Sequence, residues 1–157
     1  MLETLYVKDF AIVGAADITL DRGLTVVTGE TGAGKSLLVD ALLLLAGNRA
    51  DAGVVRHGCE RAELIAEFSL ADAAAARAWL STEEFDDGDA CQLRRVIRSE
   101  GSSRAWINGR PATLAQLQAL GECLNGKDRI GSQRALEAMM HMVKLDVKKL
   151  KAAYKGE

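Results

Sequence analysis

Residues 29–36 read Gly-Glu-Thr-Gly-Ala-Gly-Lys-Ser, and this run constrains the fold more than any other stretch of the chain. It meets every fixed position of the pattern G-x-x-x-x-G-K-[ST]. A loop of this kind turns successive backbone N–H groups inward around an anion, and side chains at its glycines would block that approach. It needs a strand to deliver it and a helix to receive it, and both are written into its flanks. Residues 24–28 (LTVVT) are apolar and β-branched without alternation, the pattern of a strand buried on both faces as in a parallel sheet. Residues 36–46 (SLLVDALLLLA) predict a strongly apolar helix, with Gly47 placed to end it.

The motif predicts a phosphate site made of Gly29, Glu30, Thr31, Gly32, Ala33, Gly34, Lys35 and Ser36. The helix that starts near Lys35 points the positive end of its dipole at the anion. Lys35 has the reach for the β- and γ-phosphates of a nucleotide. The Ser36 hydroxyl is a ligand for Mg²⁺, which bridges phosphate oxygens in turn.

Around this centre the pattern predicts strands over residues 1–12 and 15–20, joined to the buried strand by a turn at residues 21–23. Residues 48–60 lack a period and read as loop. Residues 62–70 alternate as a strand, and an Ala-rich helix follows to Leu80, with Ser69 or Asp72 as its cap. After an acidic turn at residues 86–89, strands over 91–99 and 104–108 form a hairpin around residues 100–103. Asn108-Gly109 is a second tight-turn signal. Thr113 and Gln116 are spaced as a capping box that opens a helix to about Leu124. Residues 125–131 read as a linker. Residues 132–157 form a tail whose segment 133–154 carries an apolar stripe at helical spacing. The tail has six Lys and Arg against three Asp and Glu, whereas the rest of the chain has 14 against 19.

The net charge of −2 does not advertise a polyanion partner. The longest apolar run, residues 41–46, is too short to cross a bilayer, and no basic-then-apolar leader stands before the first strand, so a cytoplasmic location without membrane contact is expected. Cys59, Cys91 and Cys123 have no paired or metal-ligand spacing and read as reduced thiols. Arg94, Arg95, Arg98, Arg104 and Arg110 form the one basic constellation. It reads either as a phosphate-contacting surface or as a solvated hairpin paired with Glu83, Glu84, Asp86, Asp87 and Asp89, and the residues favour the second. Arg49, Arg56 and His57 follow the helix as loop residues that approach nucleotide or a partner subunit, or simply face solvent. His141 falls beside the tail's apolar stripe. Trp79 and Trp106 read as core anchors.

Several segments, taken in order, resemble a known family. FAIV at 10–13, the GETGAGKS loop, GNRAD at 47–51, VRHG at 55–58 and SRAWINGRP at 103–111 are similar to the N-terminal head segment of the RecN family over about residues 1–124. RecN proteins are SMC-like ATPases of the ABC class in bacterial DNA double-strand-break repair and recombination. The resemblance implies an α/β fold: an incomplete ABC/SMC-type P-loop head lobe, with a mixed sheet around the P-loop strand and helix plus an antiparallel hairpin. It implies ATP and Mg²⁺ as cofactors, held by residues 29–36. It further implies a nucleoid setting, DNA as a partner, and self-association or a partner head. The tail is unlike RecN and is faintly similar to the C-terminal end of PhnB-like proteins of the glyoxalase superfamily.

The chain departs from the family pattern after Glu122. It contains no apolar run ending in paired acids, no signature motif and no switch histidine, so no catalytic residue is assigned. The favoured expectation is a RecN-like fragment that binds ATP·Mg²⁺ with little or no hydrolysis. The alternatives are a non-enzymatic interaction module or remnant of a truncated or fused gene, and a self-contained P-loop kinase, which lacks a visible acceptor lid and second carboxylate site.

Overall fold

The computed structural model describes residues 1–21 and 34–124. The strand expected over residues 24–28, the loop residues Gly29, Glu30, Thr31, Gly32 and Ala33, the linker and the tail helix lie outside these residues.

Alternation builds the sheet. In β1 (Leu2–Phe10) Leu5 and Val7 are buried, and in β3 (Arg61–Ser69) Ala62, Leu64 and Ala66 are buried. In β4 (Ala90–Arg98) the buried set with the same parity is Cys91, Leu93, Arg95 and Ile97. The register Leu5↔Ala66↔Leu93↔Ile107 brings these onto one face, because directly opposed strand residues share a side. With β2 (Val13–Thr19), β5 (Arg104–Ile107) and β6 (Arg110–Ala112), the six strands run in the order β2-β1-β3-β4-β5-β6. Every pairing among the described residues is antiparallel. Three helices cover the apolar face: α1 (Gly34–Leu45), α2 (Ala74–Thr82) and α3 (Leu114–Leu124). They contribute Ala41, Leu44, Leu45, Ala76, Leu80, Leu117 and Leu120 to a single core with the strands.

The first hairpin differs from expectation. β1 stops at Phe10, and Ala11 and Ile12 form the connection rather than the end of a strand. Ile12 is 69% exposed. Asp9 and Ala11 take φ of 50° and 49°, a left-handed conformation that costs an L-residue about 1–2 kcal/mol. Neighbouring backbone holds them there: Ala11 N–H donates to Val54 O at 2.7 Å, and Arg56 N–H donates to Asp9 O at 2.8 Å. A single 3₁₀ turn, Ala52–Val54, capped by the Asp51 carboxylate, presents that segment.

Other local rules hold. Thr113 and Gln116 form the reciprocal capping box, with Gln116 N–H donating to Thr113 Oγ1 at 3.2 Å and Thr113 N–H to Gln116 Oε1 at 3.0 Å. Asn108 and Gly109, both at positive φ, turn β5 into the three-residue β6. The cap expected for α2 does not form. Its N-cap is Ala73, which makes no side-chain bond, while Ser69 Oγ accepts from Ala71 N–H at 3.4 Å, short of the helix.

Gly47 ends α1 as expected, at φ 91°. Its N–H donates to Leu44 O and that of Asn48 to Leu43 O, the two bonds of a Schellman cap. A Cβ at Gly47 would lie 2.7 Å from Leu114 O and 2.9 Å from the Gln118 backbone nitrogen. Gly47→Ala therefore meets both a strained φ and the backbone of α3. We expect it to destabilise the chain by more than about 2 kcal/mol, measured by urea denaturation, whereas Gly88→Ala, at a positive φ with open space, should cost about 1 kcal/mol.

Candidate functional site

α1 begins at Gly34, so the last three motif residues, Gly34, Lys35 and Ser36, form its first turn. No acidic residue occupies that turn. The positive end of the helix dipole thus meets no acid from within its own first turn. The first five motif residues lie outside the described residues.

The far end of α1 is buried and bonded from several sides. Besides the Schellman turn, Gln118 Nε2 of α3 donates to Gly47 O at 3.1 Å. Gly121 lets α3 approach closely, since a Cβ there would lie 3.3 Å from the Ala46 Cβ. From the sheet, Arg95 Nη1 donates to both Leu44 O and Asn48 O. Arg95 has 0% exposure, and its Nε and Nη2 have no hydrogen-bond partner among the described residues. Burial lowers its pKa from the ordinary arginine value.

This overturns the reading of the arginines as one solvated set. Consecutive strand residues point to opposite faces, and helices cover one face, so Arg94 and Arg95 separate. Arg94 lies on the outer face, 2.6 Å from Glu63 Oε1 and 4.7 Å from the centroid of Trp106. Its acid comes from β3 across the ladder, not from the acidic turn. The acidic turn supplies instead an Arg77–Asp89 pair at 3.5 Å. Arg98, Arg104 and Arg110 are exposed. Trp106 is likewise not a core anchor: it is half-buried on the outer face and lines a shallow concavity of about 440 Å³ with Arg104, Pro111 and Thr113. Trp79 does pack against the core and stacks on Phe85, centroids 6.1 Å apart.

The remaining candidates do not converge on the motif. Arg49 follows the C-terminal end of α1, about 18 Å along the axis from Gly34. Arg56 and His57 are exposed, with the Arg56 guanidinium over Gly14 of β2. His141 lies outside the described residues. Sequence reasoning missed the role of Arg95, although the signal was there: it shares the parity of Cys91, Leu93 and Ile97, which predicts an inward side chain.

All three cysteines are free. Burial first, then the hydrogen bond and charge of Asp9, raises the pKa of Cys59. Burial alone pushes the Cys91 thiol up from 9.0 to about 12. A raised thiol pKa keeps the proton in the folded state while the unfolded chain loses it above about pH 9. Stability should therefore be constant from this group below pH 9 and fall as pH rises from about 9 towards 12. Urea midpoints across that range, compared with Cys91→Ala, test it: the wild-type decline should be steeper.

The comparisons bear on this architecture. A family model described as an AAA domain matches residues 4–151. The chain is 60% identical over 120 residues to the DNA repair protein RecN of Xylella fastidiosa strain Temecula1, covering 76% of this chain and 22% of that protein. It is 46% identical over 124 residues to RecN of Vibrio cholerae, covering 79% and 22%. The chain thus spans about a fifth of the curated relatives it matches. Among solved structures, one from work on ATP-driven dimerization and DNA-stimulated activation of SMC ATPases superposes with TM-score 0.67 at 21% identity, covering 98% of each chain. An Smc head bound to the C-terminal winged-helix domain of ScpA gives 0.65 at 26% identity, covering 78% of this chain and 40% of that one. The recombination mediator RecF gives 0.59 at 16%, covering 74% and 29%.

Proposed function

This chain belongs to the AAA-domain family, as an SMC-like ABC-type ATPase head fragment similar to RecN, and from that premise we propose that it binds ATP with Mg²⁺ through residues 29–36. The observation that carries the reading is the position of Gly34, Lys35 and Ser36 in the first turn of a helix whose start bears no acid. An anionic phosphate chain suits that helix end. Lys35 would contribute a compact cation, Ser36 would be the protein ligand to Mg²⁺, and the metal would neutralise phosphate charge. The backbone of Gly29, Glu30, Thr31, Gly32, Ala33 and Gly34 would surround the phosphates.

Hydrolysis by this chain alone is expected to be slight. Phosphoryl transfer depends on placed charge and an oriented water, and the sequence holds no apolar run ending in paired acids to supply them. The role we infer is the nucleotide-gripping lobe of a RecN-like ATPase in double-strand-break repair, with a second head lobe and DNA as partners. The first of these follows the ATP-driven dimerization described for an SMC relative.

Calorimetric titration with Mg·ATP tests the binding half. Wild type should bind, and Lys35→Ala should weaken binding by about tenfold or more, the loss expected for a charge-assisted bond to phosphate. Absence of heat with wild type would overturn the reading. For the second half, steady-state ATP turnover should stay near background; robust turnover abolished by Lys35→Ala would refute it.

A further inference from the structure

We propose that Arg95 is a positioning residue for the phosphate-binding loop, fixing the axial register of α1 from its opposite end. The inference rests on the nucleotide-binding reading and adds to it a residue outside the motif.

Arg95 is an odd occupant of its position. Leu93 and Ile97 flank it on the same face of β4, and an aliphatic side chain there would extend the core without cost. A guanidinium with 0% exposure instead loses its hydration, and two of its nitrogens find no partner among the described residues to replace it. No acid pairs with it among the described residues. Its bonds all go to one place, Leu44 O and Asn48 O, on either side of the Gly47 turn. There a cation meets the negative end of the α1 dipole, at the buried carbonyl of Leu44 and the part-buried carbonyl of Asn48.

Those bonds supply direction. Ala41, Leu44 and Leu45 bury against the sheet, and apolar burial of this kind sets how close α1 lies while tolerating sliding and rotation. A single charged nitrogen, Nη1, bonded to two named carbonyls from a side chain packed in the core does not tolerate them. An α-helix of 12 residues is a rigid rod, so register fixed at Leu44 and Asn48 is carried to Gly34, Lys35 and Ser36. Donors pre-set around an anion lose grip steeply when displaced by a fraction of an ångström.

The test uses the full 157-residue chain. Arg95→Met keeps length and apolar volume and removes both the charge and the unpartnered donors. The fold should therefore survive with nearly the wild-type urea midpoint. Mg·ATP should bind about tenfold more weakly, the scale seen when a group supporting a ligand-holding residue is lost. In the nucleotide-free protein, amide hydrogen exchange at residues 38–41 should quicken by about tenfold as the helix start loosens. Arg95→Lys, which keeps a cation on a shorter, non-planar side chain, should bind about threefold more weakly than wild type, between wild type and Arg95→Met. Arg94→Met, on the other face of the same strand, should bind as wild type.

A purely structural Arg95 would give the opposite split, a lower urea midpoint with unchanged affinity and exchange, and that result overturns the proposal. If Arg95→Met does not fold, Arg95→Lys decides: about threefold weaker binding in a folded protein upholds the role, and wild-type affinity rejects it. A wild-type chain that binds no Mg·ATP defeats the nucleotide reading alone. Arg95 is then judged by the exchange at residues 38–41, where an unchanged rate sinks the coupling and a faster one sustains it.

Discussion

The C-terminal end of an α-helix leaves four carbonyls without helical partners, and in α1 that end is buried at Leu44, Leu45 and Gly47. The arrangement around it follows from this constraint. Gly47 reverses the chain so that two backbone N–H groups fold back on Leu43 and Leu44. α3 comes close enough, over Gly121 and Ala46, for Gln118 to reach Gly47 O. β4 contributes the Arg95 guanidinium from below. Sheet, cap and third helix thus meet at one point, and the start of α1 carries Lys35 and Ser36 of the G-x-x-x-x-G-K-[ST] run at the other end of the same rod.

Much of this was legible in the residues. The motif announced α1, Gly47 its stop, Thr113 and Gln116 the start of α3, and alternation gave β3, β4 and β5 within a residue of their observed bounds. Each of those signals is local, a matter of one turn or one parity. What sequence alone concealed depends on partners distant along the chain. Ala11 and Ile12 look like strand, and become a turn only because Val54 and Arg56 bond Asp9 and Ala11 from forty residues away. Arg94 looked destined for the acidic turn, but the ladder sets Glu63 beside it instead. Ser69 and Asp72 looked like caps, yet Ser69 spends its hydroxyl on Ala71 N–H, ahead of the helix start at Ala74. For the candidate site, the G-x-x-x-x-G-K-[ST] run was readable from spacing, and the inward placement of Arg95 only from its parity.

The outer face of the sheet follows different rules from the inner one. Arg94 is sandwiched between an acid and an indole, with Gln92 donating to Glu67 two residues along. These are cross-strand pairs at a half-wet surface, each worth a fraction of a kcal/mol, roughly 0.2–1. They favour the observed register without deciding it. The inner face decides it, because a one-residue slip of β4 would turn Leu93 and Ile97 out to water.

β6 spans only three residues, and its central one is Pro111, which has no N–H to offer. A stray strand arriving at that margin would find almost no ladder to zip onto. Lateral stacking of one copy upon another is therefore discouraged on the β6 flank, a form of aggregation control built into the shortest element of the sheet.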